Sequence, residues 1–165
     1  MQGDLALNAR MLGNNAGGQR FQHPGRPDGD QATGRSLFIG LMGTPYQSDL
    51  TTSCFRLTEE ALRQGNQVVV WTCGYGTMLT QSTLVRPLDV LAQDENANEQ
   101  HPSTAELVRA LFRAYPTQLR WYVCLYCMEE RGAVAQISEV EIKIPFSFNT
   151  YLTVADQGLV LGVKS

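Results

Sequence analysis

The sequence predicts an α/β protein, a doubly wound and mostly parallel five-stranded sheet with helices on both faces. Three observations carry that expectation. Short apolar runs of strand length lack polar alternation, as strands covered on both faces do. Segments of helical periodicity lie between them, and glycine-bearing stops separate the two kinds of segment.

The first run is Leu37-Phe38-Ile39-Gly40-Leu41-Met42, stopped by Gly43-Thr44-Pro45. After Ser48-Asp49, suitable residues for a helix start, Leu50, Cys54, Leu57 and Ala61 recur at helical spacing until Gly65. Gln67 to Cys73 is rich in β-branched and aromatic residues and ends at Gly74-Tyr75-Gly76, so it reads as a second buried strand. Two strands joined through one helix indicate a right-handed parallel crossover.

From about Arg86 to Pro102 the pattern turns polar, with Asp94 to Gln100 lacking any apolar face, and this stretch reads as an excursion loop. Ser103-Thr104-Ala105-Glu106 fits a capping box, and Leu107, Val108 and Leu111 supply the buried side of the helix it opens. Leu119 to Cys124 forms a third strand, running directly into a short helix, Leu125 to Arg131, closed by Gly132. Val140 to Ile144 is a short strand, Phe146 to Ala155 a helix, and Gly158 to Val163 a final buried strand.

The organised region is expected to span residues 36–165. Residues 1–35 hold seven of the fifteen glycines among Asn, Gln, Asp and Pro, which is the composition of a flexible N-terminal tail, although Leu5 to Leu12 allows a short helix. A 165-residue chain with 43% hydrophobic residues holds one sizeable core. Its net charge of −3 argues against direct nucleic-acid binding, which relies on clustered cations. No run approaches the roughly 18 apolar residues of a membrane span, and Leu5-Ala6-Leu7 is too short for a signal peptide. The expected location is the cytoplasm, where four cysteines act as buried hydrophobes or reactive thiols rather than as a disulfide framework.

In open parallel sheets, sites form beyond the carboxyl ends of the strands. Two of those ends carry cysteine, Cys73 and Cys124, and Cys127 follows in the short helix. A thiol at a helix start meets unpaired backbone amides that favour its thiolate, and Arg131 adds a nearby cation while Glu129 and Glu130 oppose it. Cys54 lies on the apolar stripe of the first helix and reads as core. One Cys-x-x-Cys pair with only His23 and His101 as imidazoles falls short of a four-ligand zinc site. Gly74-Tyr75-Gly76 lacks the third glycine of a dinucleotide fingerprint, and neither a phosphate loop nor a Gly-x-Ser-x-Gly elbow occurs. Asp49 and Glu59 suit a helix start and a solvated face, so neither carboxylate is assigned to catalysis. The candidate site residues are Cys124, Cys127 and Cys73.

Gly43-Thr44-Pro45-Tyr46 after the first strand, the helix ending at Gly65, and Val123-Cys124 followed by Arg131-Gly132 together resemble the DsrE/TusD-like (DsrE/DsrF-like) sulfur-relay family over roughly Ser36 to Lys164. The resemblance implies that Cys124, eight positions before Gly132, carries a persulfide. It further implies a sulfurtransferase-like carrier that takes sulfane sulfur from a rhodanese-type or Tus-type donor protein and passes it to an acceptor protein. Such a carrier works as a homo-trimer or hexamer, with no metal or organic cofactor. Two other readings stay open: a Cys-x-x-Cys redox sensor, in which Cys127 resolves Cys124, and a non-enzymatic binding or assembly module with buried thiols.

Overall fold

The computed structural model describes residues 34–43, 45, 49–86 and 102–162. Residues 1–33, including Leu5 to Leu12, where the sequence allows a short helix, and most of the 86–102 loop lie outside the described residues. Five strands, β1 (Ser36–Met42), β2 (Gln67–Cys73), β3 (Leu119–Cys124), β4 (Glu141–Lys143) and β5 (Gln157–Gly162), form one sheet in the order β4-β3-β2-β1-β5. Every pairing is parallel. The helices are α1 (Leu50–Arg63), α2 (Thr104–Ala114), α3 (Leu125–Glu130) and α4 (Ser147–Val154), and a 3-10 segment occupies Gly74–Thr80.

From β1 to β4 the chain steps one way across the sheet, so consecutive right-handed crossovers place their helices on one face. There Ile39, Val70, Trp121 and Val123 pack against Cys54, Phe55 and Leu62 of α1 and Val108 and Leu111 of α2. The last connection returns from β4 to the far edge beside β1, and α4 covers the opposite face on the way. Phe38, Trp71, Tyr122 and Cys124 form that second core, with Phe148, Tyr151 and Leu152 of α4 against it. The period-2 alternation of strand side chains thus puts Val70 and Val123 on one face and Trp71 and Cys124 on the other. Gly40 belongs to this design, since a Cβ there would stand 3.1 Å from the Phe148 ring.

The capping box at α2 forms as its sequence requires, with the Ser103 hydroxyl accepting from the Glu106 backbone N–H and the Ser103 N–H donating to the Glu106 carboxylate. Gly65 and Gly132 close α1 and α3 with φ of +84° and +65°. Three expectations need correction. The buried stripe of α1 runs through Thr51, Cys54, Phe55, Thr58 and Leu62, leaving Leu57 43% exposed, because Phe55 turns toward Trp121, with ring centroids 5.7 Å apart. Asp49 stands at the start of α1 without a side-chain capping bond, while the Thr51 hydroxyl donates to the Pro45 carbonyl. The final strand is a largely exposed edge rather than a buried strand, with Val160 half exposed. An apolar run shows that a strand tolerates burial, whereas strand order decides whether it receives it.

Candidate functional site: a three-thiol cluster at the carboxyl edge of the sheet

Cys73 ends β2 and Cys124 ends β3, and these strands are direct neighbours. Their register pairs Thr72 with Val123, so one further step sets Cys73 beside Cys124 on the α4 face. Cys127 lies in the first turn of α3, which leaves β3 without an intervening loop. The three sulfur atoms lie within 4.8 Å of one another, with the Cys73 and Cys127 Sγ atoms 3.5 Å apart. All three candidate residues therefore meet at one place. Cys54 is fully buried in the other core, as its periodicity requires.

Tight turns and side-chain bonds fix the backbone around the cluster. Gly74 turns the chain sharply after Cys73 with φ of +58°, and a Cβ there would sit 3.3 Å from the Gly43 backbone nitrogen. The 3-10 segment that follows is tied down by Gln136, whose side-chain amide donates to the Thr77 carbonyl while its carbonyl accepts from the Thr80 hydroxyl. Beneath the thiols, Trp71 packs edge-on to Tyr122 and Phe148.

Burial governs the chemistry of the thiols. Cys124 is 1% exposed, whereas Cys73 and Cys127 are half-buried. Burial pushes the Cys73 thiol up to about 12, with the Cys127 thiol adding to the shift. The Cys124 thiol also rises, because burial outweighs the opposing pull of the Cys127 backbone N–H. The sequence left the balance at the helix start open, and the structure gives its direction: the amide is present, but desolvation is the larger effect. Arg131 is engaged elsewhere too, donating to the Cys127 carbonyl and the Glu130 carboxylate and resting 5.0 Å from the Tyr75 ring centroid. Both shifts favour the protonated thiol over the thiolate at Cys73 and Cys124.

The model of the DsrE/DsrF-like family matches residues 35–160. The chain belongs to the DsrE/DsrF-like family. Among solved structures, the crystal structure of the ychN protein from E. coli superposes with a TM-score of 0.62 at 16% identity, covering 77% of this chain and 99% of that one. It shares the fold. No curated protein matches the sequence. As a DsrE-like protein, the chain carries the sheet and the strand-to-helix cysteine that the sequence resemblance anticipates.

Two neighbours of the thiol cluster escaped sequence reasoning. Lys143 pairs in register with Cys124 and places its ammonium 5.1 Å from the Tyr122 ring centroid. Tyr75 stands half exposed two positions beyond Cys73. A lysine in a three-residue edge strand carries no sequence signal of its own, whereas Tyr75 between two glycines at a strand end was visible as a loop residue without a role. The thiols also lie away from the point where strand order reverses, between β1 and β5, at which ligands of open α/β sheets usually gather. Among the described residues no helix is long and apolar enough to cross a membrane.

Proposed function

We propose that this chain is a sulfur carrier whose Cys124 holds a persulfide, with Cys73 and Cys127 as the thiols through which sulfur enters and leaves. The convergence of three cysteine sulfurs within 4.8 Å in a family of sulfur-relay proteins carries this reading. A donor persulfide, R–S–SH, is attacked at its terminal sulfur. The donor S–S bond breaks, R–SH departs with the electron pair and a proton, and the cysteine becomes Cys–S–SH. Repetition of the same exchange moves the sulfur between neighbouring thiols. The half-buried Cys73 and Cys127 meet a donor protein more readily than Cys124, while burial at Cys124 keeps the persulfide from solvent reductants. The donor is a rhodanese-type or Tus-type protein and the acceptor another protein thiol, in the reducing cytoplasm.

Intact mass after incubation with polysulfide tests this. Wild type should retain one added sulfur, ~32 Da, after desalting. Cys124→Ala should lose the persistent increment, and Cys127→Ala should load more slowly but still hold it. An increment that persists undiminished in Cys124→Ala would remove Cys124 from its role. Absence of any increment, with all thiols resistant to alkylation, would favour the binding-module reading.

A redox reading has its own support in the Cys124 and Cys127 sulfurs, which lie within 4.8 Å of one another. Attack by a Cys127 thiolate on the inner sulfur of a Cys124 persulfide would form a Cys124–Cys127 disulfide and expel hydrosulfide, consuming the stored sulfur. A product lacking two hydrogens and bearing no added sulfur would identify it.

We further propose a homo-trimer or hexamer. Val160 on edge strand β5 and Phe146 and Val154 at the two ends of α4 are exposed apolar side chains of the kind that assembly covers. Light scattering should report the mass of several chains. A single-chain mass at micromolar concentration would end this part of the proposal.

A further inference from the structure

We infer that Cys73, Cys124 and Cys127 form a binding site for one soft monovalent metal ion, Cu(I), held by three thiolates. The inference uses the thiols of the proposed carrier but does not depend on sulfur carriage.

Three sulfurs bound in a plane at about 2.3 Å from an ion lie about 4.0 Å apart. The cluster already brackets that spacing, with every pair within 4.8 Å and one pair at 3.5 Å. Two ligands come from the ends of adjacent paired strands and the third from the helix that continues one of them, so the backbone positions are set before an ion arrives. Among the described residues no imidazole or carboxylate joins the group.

An all-thiolate set selects soft ions over hard ones. Three sulfurs without a fourth protein ligand suit Cu(I), which is content with trigonal coordination, better than Zn(II), which would need an outside fourth ligand. The walls fit the same ion. Phe38, Trp71 and Tyr122 form the apolar floor, limiting water and oxidant on that side.

Binding releases three thiol protons to solvent, and three thiolates around one Cu(I) leave a net charge of −2. Lys143, in register with Cys124, and Arg131, bonded to the Cys127 carbonyl, are the nearby cations, each already paired 2.9 Å from a carboxylate, Glu141 and Glu130 respectively. No electron is transferred, since the ion arrives and remains as Cu(I) while the chelator that delivered it departs. Occupation ties up the sulfurs that would otherwise accept sulfane sulfur, making metal binding and sulfur loading mutually exclusive.

The test is anaerobic titration of the reduced full-length chain with Cu(I) supplied as its bathocuproine disulfonate complex, read by loss of the complex's absorbance. Wild type should withdraw one ion per chain. Cys73→Ser, Cys124→Ser and Cys127→Ser should each weaken binding by about a hundredfold or more, because each removes a third of the ligand set. Cys54→Ala should bind as wild type does. In wild type, Cu(I) should also shield Cys73 and Cys127 from N-ethylmaleimide, a readout that needs no variant to fold. Failure of wild type to withdraw the ion, undiminished binding by folded Cys73→Ser, or full alkylation of Cu(I)-treated protein would each overturn the site. Intact-mass loading with polysulfide in the absence of metal reports separately on the carrier reading, so either proposal can fail while the other stands.

Discussion

Trp71→Ala should destabilise the protein by about 3–5 kcal/mol and expose the thiol cluster, the largest single effect expected of any one substitution outside the cysteines. Trp71 is fully buried and central to the α4-side core, with its ring 5.6 Å from Phe148, 6.0 Å from Tyr122 and 6.1 Å from Tyr151. One short helix covers this face, and none of its residues is fully buried, so α4 rests largely on these aromatic contacts. Removing the indole leaves a cavity between the hydrogen-bonded sheet and α4 that costs stability wherever it is not refilled. Urea unfolding should show the loss, and alkylation of Cys124 should accelerate well before global unfolding.

Trp71→Phe provides the control. The Trp71 indole N–H is buried and meets no hydrogen-bond acceptor among the described residues, a state that costs about 1–3 kcal/mol. Phenylalanine removes that burden along with part of the ring, so its net cost should be far below that of alanine. Equal destabilisation by the two substitutions would show that ring volume is not what secures α4.

Alkaline pH should unfold the chain partly through Cys54, the thiol with no role in the site. Burial raises it from 9.0 to about 12, with a hydrogen bond involving Thr58 working the other way. The folded state therefore keeps this proton where the unfolded chain has released it. Its stabilising contribution is complete below pH 9.0 and is lost as pH rises toward about 12. At about pH 10.5 the loss from this group should be on the order of 2 kcal/mol. Cys54→Ala should cost stability at neutral pH, because it leaves a small cavity, yet lose less on going to high pH. Urea midpoints for both proteins near neutrality and near pH 10.5 give the comparison as a double difference, in which contributions from Cys73 and other alkaline groups cancel. Parallel pH profiles would exclude Cys54 as the cause.

The α/β class was legible because each strand and helix announces itself locally. Val68 to Cys73 could hardly be anything but a buried strand, and Ser103 with Glu106 specifies a helix start through bonds made within four residues. The cysteine at the end of β3, eight positions before Gly132, was legible for the same reason, since strand, turn and helix are contiguous in sequence. The α1 stripe was misjudged by one register because Leu57 and Phe55 are equally apolar. Only Trp121, more than sixty positions away in sequence, decides which of them turns inward.

At the thiols, sequence alone determined that Cys73 and Cys124 end parallel strands and that Cys127 follows within a helical turn, because backbone propensity and glycine stops are local properties. Tertiary structure decided that β2 and β3 are neighbours, which turns three separate cysteines into one cluster, and that Lys143 stands in register beside it. It also decided the acidity of Cys124. A helix start favours the thiolate by a short-range interaction visible in sequence, but burial opposes it through every element packed around the sulfur. That sum over α4, the 3-10 segment and the neighbouring strands exists only once the chain has folded.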